Sequence, residues 1–270
     1  MAESRGKVDC FSPVRGLSHP LSFECYLKKV NLQELLEQLE APNADVIIKA
    51  VEHFSEREAE KRDQIVLGYF GEDGIQHITN CIVENLLSAP RLGTHAKILD
   101  VGSGSGIFTV RVADEILRHV PDASFYAMDI TPAMLSVLSR KNRRITLFLG
   151  IAENINKSIE YASRYLTIPS RFDVVFSTLM LHHCRDVKTV FRSTRSVLAR
   201  HGKAVFIDLC EHLFKEFHEE MGDLHLGFDP ALIEKEAAMV FPKFHVKRMP
   251  GIPCECSGRS AELFVAYLAR

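Results

Sequence analysis

The side chains best placed to do chemistry lie around a glycine-rich string. Residues 98–106 read Ile-Leu-Asp-Val-Gly-Ser-Gly-Ser-Gly, a short apolar run that leads into alternating glycines. Glycine permits positive φ and lets a ligand approach the bare backbone, and a helix that begins after such a loop offers free N–H groups to an anion. The string predicts a ligand-binding loop between a strand and a helix, with these residues at the ligand: Asp100, Gly102, Ser103, Gly104 and Gly106.

The spacing of the glycines bears on which ligand the loop takes. A dinucleotide fingerprint is G-x-G-x-x-G, but the place of its third glycine is held here by the bulky Ile107. Asp100 suits a ligand with an ammonium group better than one with a pyrophosphate. A nicotinamide cofactor is therefore disfavoured, and no Gly-Lys-Ser/Thr follows to make a phosphate-binding P-loop.

Asp129 is the candidate ribose ligand. It lies 23 residues after Gly106, at the end of a second apolar run, where the carboxylate that binds ribose hydroxyls is expected in dinucleotide-binding folds. The alternative is that Asp129 only complements the dipole of the helix that follows.

The elements that position these residues alternate between strands and helices after Gly93. Apolar strand runs are predicted at residues 97–101, 124–128, 145–149, 172–177 and 203–209, with amphipathic stretches between them. Two further strands are expected at 244–249 and 262–268, joined by a turn-rich segment. We expect an α/β fold: a doubly wound, mostly parallel seven-stranded sheet with a late antiparallel strand, plus an N-terminal helical segment.

At this point the chain resembles the class I, Rossmann-like S-adenosylmethionine-dependent methyltransferases of the small-molecule type. The resemblance rests on LDVGSGSG, reinforced by YAMDITPAML, GIAEN, FDVVFSTLMLHH and LARHGKAVFIDL in that order. It implies S-adenosylmethionine as cofactor. It also implies that the cofactor site extends to residues at the ends of the second, third and fourth strands: Ile130, Ala152, Glu153, Ser177 and Thr178.

His182 and His183 are the candidate catalytic residues. They follow the fourth strand, and near neutral pH a histidine can take a proton from the hydroxyl or thiol group that receives the methyl group. The alternative is that one packs in the loop while the other faces solvent. No metal is predicted: Cys184 beside them and Cys254-Glu-Cys256 both lack the spacing of a metal site.

Two segments could cover the acceptor. Residues 1–95 have helical periodicity and more acidic than basic side chains. We predict them to be an N-terminal helical cap or lid, which could also dock a protein partner or a second copy, with the S-adenosylmethionine-binding methyltransferase domain at 96–270. Residues 211–236, which contain His212, His218, His225 and Phe228, are the second candidate.

Composition excludes several classes of protein. The 270 residues carry a formal net charge of −2, and the basic clusters lack interleaved aromatic residues, so a nucleic-acid partner is not expected. No apolar run is long enough to span a membrane, and no targeting signal is evident, so a cytoplasmic protein without a membrane is expected. The resemblance implies methyl transfer from the sulfonium to a small-molecule acceptor by in-line displacement. The alternative is a cofactor-binding regulatory or scaffold protein with little turnover.

Overall fold

A central sheet carries the fold in the part of the chain that the computed structural model describes, residues 21–42, 44–53, 56–217 and 224–270. Residues 1–20 of the predicted cap, and His218 of the second candidate cover, lie outside the described residues. Seven strands form the sheet in the order β3-β2-β1-β4-β5-β7-β6. Their bounds are β1 Lys97–Val101, β2 Ser124–Asp129, β3 Thr146–Leu149, β4 Phe172–Thr178, β5 Leu198–Leu209, β6 Lys243–Cys256 and β7 Arg259–Ala269.

Strands β1 to β5 pair with one another in parallel, and β7 is antiparallel to both β5 and β6. The predicted fold class, a mostly parallel sheet with a late antiparallel strand, is confirmed. The central strands are almost wholly buried because helices cover both faces of a parallel sheet.

The last two strands are longer than the sequence predicts. Their pairing extends through the segment expected to be turn-rich, up to a turn at Ser257-Gly258. A shift in register between Met249 and Cys254 absorbs the proline and glycine residues of that segment, since a bulge tolerates residues that a regular ladder excludes.

Helices precede, connect and cover the strands. Their bounds are α1 Phe23–Leu27, α2 Leu32–Gln38, α3 Ala44–His53, α4 Glu56–Leu87, α5 Ile107–His119, α6 Pro132–Lys141, α7 Ile155–Ala162, α8 Val187–Val197 and α9 Pro230–Val240, with single 3₁₀ turns at Ala152–Asn154 and Leu181–His183. Within the described ranges, no helix is long and apolar enough to cross a lipid bilayer.

The helices before the first strand pack on the rest of the fold. Tyr26 of α1 is fully buried, and its hydroxyl accepts a hydrogen bond from the Leu149 N–H at 3.1 Å. Helix α4 is kinked at Gly71, where φ is 62°. Its second half buries an apolar stripe that includes Ile75, Ile78 and Ile82. The division of the chain at residue 95 stays a prediction, with the preceding helices joined to a common core.

The order of the strands places the candidate site. The order reverses between β1 and β4, and in open α/β sheets ligands bind at the carboxyl ends of the strands where such a reversal opens a crevice. The glycine string follows β1, Asp129 ends β2, and the His182-His183 turn follows β4. All three therefore lie at the same edge of the sheet.

Candidate functional site

The glycine loop has the backbone conformation that its sequence predicts. Gly102, Gly104 and Gly106 have φ of 72°, 53° and 82°. A Cβ at Gly102 would lie 2.2 Å from Met180, and one at Gly106 would lie 2.3 Å from Leu138. These two glycines are required by protein packing.

Gly104 differs from the other two glycines of the loop. A Cβ built there has no heavy atom within 4 Å. The backbone is therefore bare toward open space at this position, which is what a loop that receives a ligand requires.

Asp129 is bonded to the loop from the neighbouring strand. Its Oδ2 accepts the N–H of Gly104 at 2.8 Å, and its Oδ1 accepts the N–H of Thr131 at 2.8 Å. Burial raises the pKa of Asp129, and the backbone donors partly oppose that rise. A carboxylate has about four lone-pair sites, so each oxygen can still accept a ribose hydroxyl. Gly104 and Asp129, both predicted to lie at the ligand, are thus side by side.

Asp100 is nearly inaccessible at the end of β1. It is 3% exposed, and the Thr109 hydroxyl donates to its Oδ2 at 2.6 Å. Burial, with a further contribution from the nearby Asp129, raises the pKa of Asp100 to about 7. A cationic ligand beside Asp100 would stabilise the ionised form.

Two buried hydroxyls point to a polar ligand at the same edge. Within the described part of the chain, Ser103 Oγ and Thr178 Oγ1 are buried and make no hydrogen bond. Buried hydroxyls are normally satisfied, so both are available to a bound group. Ser177 differs, since its hydroxyl donates to the Val101 carbonyl at 2.7 Å and joins β4 to β1.

The remaining residues predicted at the cofactor lie in the loops after β2 and β3. Ile130 is half-buried, and Ala152 is buried in the 3₁₀ turn after β3. The Glu153 carboxylate accepts the Arg185 N–H at 3.4 Å, so this side chain bonds the loop before α8. Its predicted role at the adenine edge stays a prediction.

The two candidate catalytic histidines have different environments. His182 is fully buried, and its Nδ1 lies 2.6 Å from Oδ1 of Asp208, which is also fully buried. His183 is half-buried, and its ring centroid lies 4.1 Å from that of His182. His182 therefore lies against a buried carboxylate, and His183 is the more exposed of the two histidines.

Neither Asp208 nor the contacts of α4 with the glycine loop are predicted from the sequence. Asp208 ends an apolar strand, which is a usable signal, because a charged residue in a buried strand needs partners. Asp63 of α4 accepts a hydrogen bond from the Ser105 hydroxyl at 2.6 Å and pairs with Lys141 at 2.5 Å. Asp63 has no motif that could reveal this role, because the contact depends on how α4 packs.

The site fits S-adenosylmethionine on its own geometry. The cofactor carries a positively charged ammonium group, ribose hydroxyls and a carboxylate. Asp100 suits the ammonium group, Asp129 suits the ribose hydroxyls, and the N–H groups of the glycine loop suit the carboxylate. The bare face of Gly104 leaves room for the ligand, and the hydroxyls of Ser103 and Thr178 supply polar atoms that would otherwise be buried without partners.

Comparison with protein families agrees with this geometry. Residues 99–206 match the family model described as "Methyltransferase domain". The matched range includes the glycine loop, Asp129 and both candidate histidines. No curated protein sequence matches the chain.

Solved structures share the fold at low sequence identity. Phosphoethanolamine N-methyltransferase 2 of Haemonchus contortus, in complex with S-adenosyl-L-methionine, is 15% identical with a TM-score of 0.58, over 89% of this chain and 60% of that chain. The CurJ carbon methyltransferase is 17% identical with a TM-score of 0.56, over 89% and 71%. A putative sarcosine dimethylglycine methyltransferase from Galdieria sulphuraria is 14% identical with a TM-score of 0.52, over 72% and 84%. This chain therefore spans about three fifths of the Haemonchus enzyme.

Proposed function

We propose that this chain is a class I S-adenosylmethionine-dependent methyltransferase, which binds S-adenosylmethionine and transfers its methyl group to a small-molecule acceptor by in-line displacement. The match to a methyltransferase domain model and the shared fold support this proposal. The bond between Asp129 and Gly104 is the observation that carries the proposal. It brings a ribose-type carboxylate against the one loop glycine whose Cβ position is open.

Each candidate residue has one task in this proposal. Asp129 accepts the ribose hydroxyls, and Asp100 lies near the ammonium group. The N–H groups of the glycine loop receive the carboxylate, with Ser103, Ser177 and Thr178 beside the methionine portion. Ile130 contacts the adenine face, and the turn at Ala152 and Glu153 borders its edge.

The cofactor supplies an activated methyl group on a sulfonium, which is a good leaving group. The protein therefore needs mainly to align the acceptor with the methyl group and to exclude water. A base is needed when the acceptor starts protonated. His182 and His183 are the candidates, since they are at the carboxyl end of β4 beside the cofactor loop.

The neighbours leave the acceptor open. The Haemonchus enzyme has been solved with phosphomonomethylethanolamine, whereas CurJ is named a carbon methyltransferase. Because the fold hosts many acceptors, the proposal of a small-molecule acceptor rests on the sequence, in which the basic clusters lack the interleaved aromatic residues of a nucleic-acid track. A cytoplasmic location, and a protein or homodimer contact through residues 1–95, belong to the same proposal.

The second candidate is a cofactor-binding regulatory or scaffold protein with little turnover. The observation in its favour is the complete burial of His182, since a buried histidine can serve the loop rather than the reaction. This candidate predicts cofactor binding without methyl transfer.

Calorimetric titration with S-adenosylhomocysteine tests the proposal, with NADH as the control ligand. We expect micromolar affinity for S-adenosylhomocysteine and none for NADH. Incubation with methyl-labelled S-adenosylmethionine and a panel of hydroxyl, amine, thiol and carbon acids then separates the two candidates. Binding with no transfer to any acceptor would favour the scaffold, and absence of binding would overturn both.

A further inference from the structure

Asp208 is a fully buried carboxylate at the end of β5, beneath the loop that carries the two histidines. Its Oδ2 accepts the Leu181 N–H at 2.7 Å, and its Oδ1 accepts the Leu209 N–H at 2.7 Å. Oδ1 also lies 2.6 Å from His182 Nδ1. Each oxygen therefore accepts one backbone N–H, Oδ2 from the turn after β4 and Oδ1 from the end of β5.

These bonds determine which nitrogen of His182 carries the proton. Each oxygen of Asp208 already accepts a backbone N–H, so the carboxylate meets His182 as a hydrogen-bond acceptor. Nδ1 must then be the donor of the short contact. In a neutral imidazole the other nitrogen, Nε2, is the basic one.

We propose that Asp208 is the positioning residue that holds His182 in the Nδ1–H tautomer, so that His182 Nε2 is the general base of methyl transfer to a protonated acceptor. The inference rests on the proposed function and narrows the acceptor to an O–H, N–H or S–H compound. A carbon acceptor can use this base only if its C–H bond is acidic enough for a histidine to remove the proton.

The proton and electron pairs balance in this step. A lone pair on the acceptor oxygen, nitrogen or sulfur forms the new bond to the methyl carbon. The carbon–sulfur bond of the sulfonium breaks, and its electron pair stays on sulfur. The acceptor proton moves to His182 Nε2, and the resulting imidazolium is opposite the Asp208 carboxylate, which offsets its charge.

Imidazole and phenyl rings lie around His182. His183 packs against its ring, and the pKa of His212 is lowered by burial and by the proximity of His182. His212 in turn packs against Phe214 and Phe217, with centroids at 5.4 and 4.4 Å.

Two backbone N–H groups bond to the loop that carries His182. The Leu224 and His225 N–H groups both donate to the His182 carbonyl at 3.0 Å. The His182 side chain is fully buried, so an acceptor contacts Nε2 only when residues around this side chain move.

The tautomer can be measured without any acceptor. The full-length protein is labelled with ¹⁵N-histidine, and the His182 signals are assigned by their loss in His182→Asn. We expect the long-range ¹H–¹⁵N pattern of the Nδ1–H tautomer in the wild-type protein. In Asp208→Asn a single amide oxygen replaces the two carboxylate oxygens that bond the Leu181 N–H, the Leu209 N–H and His182 Nδ1. The new side-chain NH₂ can donate to Nδ1, so we expect the Nε2–H tautomer to become populated. A wild-type protein in the Nε2–H form would overturn the proposal.

Transfer kinetics test the base itself. In His182→Asn the side-chain amide can still donate to Asp208, so the buried hydrogen bond is kept while the base is removed. We expect kcat to fall by about 10² to 10⁴-fold, with S-adenosylhomocysteine affinity unchanged. We expect Asp208→Asn to lower kcat by about tenfold or more, again with affinity unchanged, because the wrong tautomer presents no base.

A carboxylate in the same loop provides the matched control. Asp186 caps α8 through the Thr189 N–H at 2.9 Å, and asparagine is an equally good cap. Asp186→Asn should leave kcat unchanged.

The outcomes separate this proposal from the proposed function. If the wild-type protein transfers methyl to no acceptor, the proposed function fails. If it transfers methyl and His182→Asn does so equally well, only the base assignment fails. If Asp208→Asn does not fold, the wild-type tautomer and the His182→Asn rate still decide.

Discussion

Gly104→Ala separates the needs of the fold from those of the ligand. The substituted Cβ would meet no protein atom within 4 Å, yet φ at this position is 53°. The fold therefore loses only the cost of a left-handed alanine, which is about 1–2 kcal/mol. For a chain of this size that is a fall in melting temperature of roughly 2–8 °C.

Cofactor binding should suffer more than stability. The new methyl group would occupy space next to the N–H that Asp129 accepts, where the ligand is expected to lie against the backbone. We expect the affinity for S-adenosylhomocysteine, measured by calorimetric titration, to fall at least tenfold, which is about 1.4 kcal/mol.

Gly258→Ala is the matched control for this prediction. Gly258 has a φ of 71° and also no heavy atom within 4 Å of a built Cβ, but it is in the turn between β6 and β7. It should show the same thermal loss with unchanged affinity. Equal affinity of wild-type protein and Gly104→Ala would refute the placement of the cofactor against this loop.

Three further perturbations have defined outcomes. Asp129→Ala removes the acceptor of two backbone N–H groups, so we expect both weaker cofactor binding by calorimetry and a loss of about 2–4 kcal/mol by urea unfolding; unchanged affinity would contradict the ribose assignment. Lys203→Met removes a buried ammonium that donates to two carbonyls after α4, at 2.6 and 3.0 Å, and urea unfolding should show a loss of about 2–3 kcal/mol. In the folded protein the pKa of Asp100 is about 7, above its usual 3.8. Between these pH values the folded state holds a proton that the unfolded state has released, so the contribution of Asp100 to the free energy of unfolding falls as pH rises from about 4 to 7. Asp100→Asn should remove that part of the pH dependence of stability, and an unchanged pH dependence would contradict the raised pKa.

The alternation of strands and helices after residue 93 was enough to predict the sheet. Short β-branched runs ending in polar or glycine residues mark the parallel strands, because both faces of such a strand are buried. The sequence predicts β6 and β7 too short, because residues 250–260 contain the proline and glycine of a turn. A bulge lets these residues remain within a strand pair. Local composition carries no information about such long-range pairing.

The glycine loop and Asp129 are also local signals. Positive φ restricts the loop positions to glycine, and the spacing to the next strand end places the carboxylate. The sequence thus determined the class of fold and the loop, since each follows from periodicity and backbone chemistry within one stretch of chain. The kind of cofactor was implied by the resemblance to a known family.

Only the tertiary structure decided which side chains share a contact. His182 and Asp208 are 26 positions apart, and Asp63 reaches the glycine loop across 42 positions. Such contacts arise because parallel strands end at one edge and a preceding helix packs over it. The tautomer of a histidine and the protonation of a buried carboxylate depend on those neighbours and on burial, which no local pattern encodes.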